Sequence, residues 1–410
     1  MRTLRWIALA IALMVVVAVV STIWAISVHK LSVSRAQAKI AAFYVPPTPL
    51  PSEPGTVIRT EPLGVEVPGA TAQRVLYTSE RPDGTPAVSG AMIFIPTTPA
   101  PAEGRKVVAW AHGTLGMGDA CAPSRSDNPL GDTANWLDQM MQLGYVVVAT
   151  DYTGFGTPGP NLYLVGQAEA RDVVNSVRAA RNIPDAQAGT EWIVWGHSQG
   201  GHSALWTGHL ARELAPELTL KAVAAAAPAA ELQDIIDAQW QTAVGWAIGP
   251  EVVESWPNYY PNLSPQGFVS ASGLRNTERL ANECIAPAAL EGFVRADFGQ
   301  DYFEQKPTDN PSWAAAAKDQ TPAPLPASMP VFVAQSIADS VVLAWPNAVL
   351  QEQWCAAGSD ITMAWLGMVS HQDTAMTVGP QAVAWIDDRF HDRPTARTCN
   401  VPPPVAPSAN

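Results

Sequence analysis

Basic charge is scarce in this chain. Its 24 Lys and Arg stand against 37 Asp and Glu, a formal net charge of −13. A nucleic-acid partner needs a basic face to neutralise phosphates, so this balance argues against one. It argues equally against electrostatic adhesion of the globular part to anionic lipid. Charge of either sign is thin, 15% of residues against 47% hydrophobic, which leaves enough apolar side chains for a sizeable buried core. Cysteine is limited to Cys121, Cys284, Cys355 and Cys399. No two of them form C-x-x-C, so neither a zinc ribbon nor a redox motif is supported.

Long apolar runs are also rare, with one exception at the start. Arg2 and Arg5 precede an uncharged run from Trp6 to Val28. As a helix this run would extend about 34 Å, against about 30 Å of hydrocarbon in a bilayer. Residues 1–30 therefore read as an uncleaved membrane anchor facing the extracytoplasmic side, with Ala36-Gln37-Ala38 leaving a cleaved signal and a secreted product open. Export and an even cysteine count together suggest two disulfides, with three connectivities open. Residues 31–56 read as a Pro-rich linker, extended over Val45–Gly55.

Two strands, Thr71–Ser79 and Val88–Pro96, follow around a Pro82-Asp83-Gly84 turn. From residue 106 onward apolar strands alternate with helical patterns, which predicts a mostly parallel sheet flanked by helices. Within that stretch Trp192–Trp195 is a short apolar strand, Gly196-His197-Ser198-Gln199-Gly200 follows, and Ser203–Glu213 is a helix. Strand, Gly-x-Ser-x-Gly and helix resemble the nucleophile elbow of α/β-hydrolases. Such a turn lifts the Ser198 hydroxyl clear of the sheet, and its glycines let strand and helix approach. Gln199 N–H, at the positive end of the helix, is one candidate oxyanion donor. An earlier strand ends in His112-Gly113-Thr114, and Thr114 N–H is the second candidate.

Periodicity weakens over 231–325, a stretch holding Trp240, Trp246, Trp256, Trp313, Tyr259 and Tyr260. It reads as a cap between two parts of the core, 57–230 and 326–400, with aromatic and aliphatic residues either facing an apolar acyl chain or packed only for stability. Asp339 lies just past a predicted strand at Pro330–Ala334, and His371 follows another at Ile361–Leu366. Asp309, Asp319 and Asp360 compete with Asp339, and His391 competes with His371. The order Ser198, Asp339, His371 is the order of α/β-hydrolase triads. Residues 401–410 read as a Pro-rich tail.

The ordered set of motifs resembles the secretory lipase family of α/β-hydrolases, the group with fungal lipase A. The matching pieces include His112-Gly-Thr, Cys121-Ala-Pro-Ser, Asp151-Tyr-Thr-Gly, Gly196-His-Ser-Gln-Gly-Gly-His and Ala224–Leu232. The resemblance implies hydrolysis of lipid or other acyl esters, with no metal or organic cofactor. It implies Cys121–Cys284 and Cys355–Cys399 as the disulfides. It departs from the family at Gln335-Ser336, where Gly is usual, and at Val342-Leu343, where Val-Pro is common. An acyltransferase with the same triad, or a non-catalytic envelope protein binding apolar ligands, are the competing functions.

Overall fold

The computed structural model describes residues 31–408 together with Ser21, Trp24 and Val28. The apolar run Trp6–Val28 thus lies almost wholly outside the described residues. Among the described residues no helix is long and apolar enough to cross a membrane. The chain divides into two compact units, one ending at Val45 and one beginning at Pro46. In the first, residues 31–40 are helical and Ala41–Tyr44 forms one 3-10 turn. The linker expected from residue 31 is therefore helical over its first part. Ala, Gln and Lys in this stretch are good helix formers, and proline begins only at Pro46.

The second unit is built on a nine-stranded sheet. Its strands are β1 Val57–Pro62, β2 Ala70–Glu80, β3 Pro86–Pro96, β4 Arg105–Ala111, β5 Val146–Thr150, β6 Ala188–His197, β7 Thr219–Ala226, β8 Val331–Ser336 and β9 Ile361–Leu366. The spatial order is β1-β2-β3-β5-β4-β6-β7-β8-β9. β1, β2, β3 and β5 pair antiparallel, and every pair from β5 to β9 is parallel. β1 carries Arg59, Thr60 and Glu61 on a half-buried edge, so it lacks the apolar pattern that marks a strand in sequence. The Pro-rich segment before it is anchored rather than free. Gly55 N–H donates to Thr78 O at 2.7 Å, and a Cβ on Gly55 would lie 2.2 Å from Arg178 Cβ.

Both faces of the sheet are covered, so its central strands are continuous apolar runs. Successive residues of β6 point to opposite faces, with Trp192 and Val194 in one core and Ile193 and Trp195 in the other. The first core is closed by helices Gly166–Arg181 and Gln199–Leu214, and by Leu350 and Trp354 of Ala344–Ala356. The second is closed by Leu137–Gln142 and Thr374–Phe390. Each large apolar side chain fully buried here contributes about 1.5–3 kcal/mol.

Between β7 and β8 the chain leaves the sheet and forms five helices: Leu232–Gln239, Ala243–Ser255, Ala271–Ala281, Ile285–Asp297 and Pro311–Asp319. Trp246, Trp256 and Trp313 pack into a core that joins the insertion to Leu162–Val165 and Val342, and Trp256 and Trp313 stack there at 5.8 Å. These tryptophans line no wall of the cavity at Ser198. The weak periodicity of the stretch reflects helix Ala243–Ser255, buried on more than one side, and helix Ile285–Asp297, whose apolar Leu290, Phe293 and Val294 are exposed.

Candidate active site

Strand β6 ends at His197, and the next residue breaks the backbone. Ser198 sits at φ 56°, ψ −116°, a conformation that costs on the order of 1–3 kcal/mol. Packing enforces it. A Cβ on Gly196 would lie 2.0 Å from Gly200 O, and one on Gly200 would lie 1.9 Å from Ala111 O. Only glycine at both places lets β4, β6 and the helix from Gln199 close on one another. Ser198 N–H donates to Ala226 O at 2.9 Å, which pins the turn to β7.

The turn delivers Ser198 Oγ to within 2.8 Å of His371 Nε2. His371 Nδ1 lies 2.7 Å from Asp339 Oδ2. Asp339 Oδ1 accepts the Val341 and Val342 amides at 2.9 and 3.0 Å, which orients the carboxylate. All three side chains are buried, at 7% exposure or less. The competing residues stand elsewhere. Asp319 accepts Tyr260 OH at 2.6 Å, Asp309 pairs with Lys306, Asp360 accepts Thr395 Oγ1, and His391 turns to Asp387.

The two candidate oxyanion donors flank the serine. Gln199 is the first residue of its helix, so its N–H has no carbonyl one turn earlier to bond. Gly113 lies so close that a Cβ there would be 3.3 Å from Ser198 Cβ, which brings the Gly113-Thr114 loop beside Ser198. Thr114 Oγ1 is tied to Tyr163 OH at 2.7 Å.

Four further residues of the site, His197, Gln335, Asn347 and Asp132, were assigned no role from the sequence. His197 Nε2–H donates to the His371 carbonyl at 2.9 Å. Burial, and then the neighbouring His371 ring, hold His197 down to about 3. It therefore stays neutral at neutral pH and places no positive charge beside His371. Gln335, standing where the family usually has Gly, donates to Val342 O at 3.0 Å and reaches Asp339 Oδ2 at 3.3 Å. Asn347 donates to Gln335 Oε1 at 2.6 Å, so the amide is itself held. The departure is thus filled by a side chain that braces the loop carrying Asp339. Asp132 lines the cavity, and burial pushes its carboxyl up, an effect that His112 partly offsets.

Ser198 and His371 open on a cavity of about 730 Å³. The insertion contributes Val244, Ala247, Ile248, Ile285, Ala289 and Phe293 to its wall. The clasp holding the insertion here is covalent as well as hydrogen-bonded. Cys121 is disulfide-bonded to Cys284, which caps helix Ile285–Asp297. Beside it, Met117 N–H donates to Ala281 O and Ile285 N–H to Leu115 O. The second disulfide, Cys355–Cys399, ties the C-terminal segment to helix Ala344–Ala356. The first bond closes a loop across 163 positions, and cross-links of this kind contribute about 2–4 kcal/mol. Cys121→Ser is expected to lower the melting temperature by on the order of 5 °C in a thermal scan. An unchanged melting temperature would show that the clasp's hydrogen bonds suffice.

The profile of the secretory lipase family matches residues 134–398. The chain belongs to the secretory lipase family. This secretory lipase is 24% identical over 397 residues to Lipase 10 of Candida albicans, covering 87% of this chain and 82% of that protein. It is also 24% identical over 423 residues to the secreted triacylglycerol lipase LIP7 of Malassezia globosa, covering 90% and 83%. Candida antarctica lipase A in its closed state superposes with a TM-score of 0.71 at 18% identity, with 89% of each chain covered. The rice cell wall degrading esterase LipA from Xanthomonas oryzae gives 0.66 at 19% identity, covering 83% of this chain and 99% of that one. These likenesses show the α/β-hydrolase fold. Family membership makes the secretory lipase an ester hydrolase.

Proposed function

We propose that this secretory lipase is an exported serine hydrolase that cleaves carboxylic esters of apolar acids through an acyl-enzyme. The hydrogen-bonded chain Ser198–His371–Asp339, opening on an apolar cavity, carries the reading. Ser198 Oγ attacks the ester carbonyl while His371 Nε2 takes its proton. Asp339 accepts Nδ1–H, which fixes the tautomer and stabilises the imidazolium. Negative charge gathers on the carbonyl oxygen, and the Gln199 and Thr114 amides receive it. His371 then protonates the leaving alcohol, leaving the acyl group on Ser198. Water, activated by the same ring, releases the acid. The segment 231–325 acts as the cap, its aliphatic wall holding the acyl chain. The test is hydrolysis of p-nitrophenyl esters from short to long acyl chains, with Ser198→Ala as control. Absence of acyl-ester cleavage at every length would overturn the reading.

Helix Ile285–Asp297 supports a lipid substrate. Its cavity-lining residue Phe293 stands beside Leu290 and Val294, with Phe298 just past its end, and these four are 64%, 67%, 45% and 76% exposed. An exposed apolar group of this size marks an interaction surface. Replacing Leu290 and Phe298 together with Asp is expected to lower activity on emulsified long-chain esters about tenfold or more. Turnover of a dissolved short-chain ester should change less than about twofold, because neither residue lines the cavity. Equal losses on both substrates would refute the surface role.

The N-terminal run is read as the export and anchoring segment. The full-length chain is expected in the membrane fraction, and a chain starting at Ala41 in the soluble fraction with full activity. Recovery of a soluble product beginning after Ala38 would show cleavage instead.

A further inference from the structure

Three side chains buried under the serine, with one backbone carbonyl, form a hydrogen-bonded chain that no step of ester cleavage uses. Gln199 Nε2 donates to Glu169 Oε1 at 2.8 Å. The same oxygen accepts Leu164 N–H at 3.0 Å. Glu169 Oε2 faces His202 Nδ1 at 3.2 Å, and His202 Nε2 faces the Gln320 carbonyl at 2.7 Å. Exposure is 4% for Gln199, 2% for Glu169 and 0% for both His202 and Gln320. Neither Glu169 nor His202 lines the catalytic cavity.

Hydrogen-bond chemistry places the protons. A carbonyl oxygen only accepts, so His202 Nε2 carries hydrogen. Were the ring neutral and Glu169 ionised, a bare Nδ1 would face a bare carboxylate oxygen. One further proton therefore lies between Nδ1 and Oε2, and the pair is neutral as a whole. That is the form a site closed to water favours. The pair is a double-ended clamp. At one end it grips the Gln199 side chain; at the other it grips Gln320, the residue after helix Pro311–Asp319 of the insertion. His202 is also one turn along the serine's own helix, and its N–H donates to Ser198 O at 3.0 Å.

We propose that Glu169 and His202 are positioning residues for the oxyanion hole. They hold Gln199 by its side chain so that its backbone N–H stays aimed at the developing oxyanion. The inference rests on the reading of Gln199 as an oxyanion donor. A donor must be held to within about 0.5 Å to act at full strength. Gln199 follows a residue in a disfavoured conformation, so its position depends on what anchors it. Its long side chain points away from substrate and into the clamp. The clamp also makes the end of the insertion and the oxyanion amide parts of one hydrogen-bonded chain.

The test uses the full chain, a dissolved p-nitrophenyl ester and a fluorophosphonate that labels Ser198. Glu169→Leu keeps the side-chain bulk and removes both acceptors. It is expected to lower kcat about 10–100-fold, a fraction of what loss of an oxyanion donor costs, with KM within about twofold. Labelling of Ser198 should slow in parallel, because phosphonylation also places charge on the oxyanion. Glu169→Gln is expected to restore kcat to within about threefold of the native chain. Its Oε1 still accepts from Gln199 and Leu164, and its amide donates to a neutral Nδ1. If Glu169→Leu does not fold, Gln199→Ala releases the same anchor alone and is expected to lower kcat about tenfold at constant KM. A folded Glu169→Leu or Gln199→Ala with native kcat, beside an inactive Ser198→Ala, overturns the clamp and leaves the hydrolase reading standing. Glu169→Gln as slow as Glu169→Leu overturns it too. A native chain that cleaves no ester, or Ser198→Ala that still does, defeats the hydrolase reading itself.

Discussion

Ser198→Ala is expected to lower kcat on a dissolved p-nitrophenyl ester by about 10³-fold or more. The substitution removes one oxygen and little else. Alanine at φ 56° is as disfavoured as serine, so the elbow's strain is unchanged and the turn is still enforced by Gly196 and Gly200. The Ala226 carbonyl keeps its amide partner, since the bond uses the backbone N–H. The acyl group then has nothing to bond to. What remains is attack by water, aided by the oxyanion donors and the apolar cavity. His371→Ala should be as slow, because Ser198 Oγ without its base is a weak nucleophile. The double variant should be no slower than either single one, since the two act as a unit. The measurement is kcat and KM for all three, with thermal melts to show that each folds. Retention of a tenth or more of native kcat by Ser198→Ala would remove Ser198 from the chemistry.

Much of this site was legible in the chain, for physical reasons that differ by residue. The elbow is local: an apolar strand, two glycines where no Cβ fits, and a helix all occur within about twenty residues. Asp339 and His371 were readable only by order and by their place after strands. Their approach to Ser198 depends on β8 lying beside β7, and β9 beside β8, in the sheet. Glu169 and Gln320 are different. Each is polar and fully buried, and each meets His202 only through tertiary packing. Glu169 stands four residues before Val173 and eight before Val177, so the helical period puts it on the apolar face; its charge, which ordinarily faces solvent, is what hid it in the sequence. Gln335 appeared only as a departure from the family pattern. The aromatic residues of the insertion read from the sequence either as a ligand surface or as packing. Trp246, Trp256 and Trp313 serve packing, in a core shared with Leu162–Val165 and Val342, and the cavity wall falls to smaller aliphatic residues and Phe293.

Asp339→Asn carries the second large expected effect. Asparagine has almost the same shape, and its Oδ1 can keep the Val341 and Val342 amide bonds. Its other terminus, however, becomes an NH₂ donor facing His371 Nδ1. The ring can satisfy that donor only by making Nδ1 an acceptor, which moves its hydrogen to Nε2. Nε2–H then faces Ser198 Oγ and cannot take the serine's proton. The imidazolium needed at each half-reaction also loses its carboxylate partner, at a position only 4% exposed, where little water can replace it. Both effects act on the transition state and not on substrate binding. Asp339→Asn is therefore expected to lower kcat about 10³–10⁴-fold near neutral pH, with KM changed less than about threefold. Asp309→Asn and Asp319→Asn, measured in parallel, should leave kcat within about twofold, since their partners are Lys306 and Tyr260. Near-native kcat for Asp339→Asn, with a severe loss in either of the other two, would move the acid to a different residue.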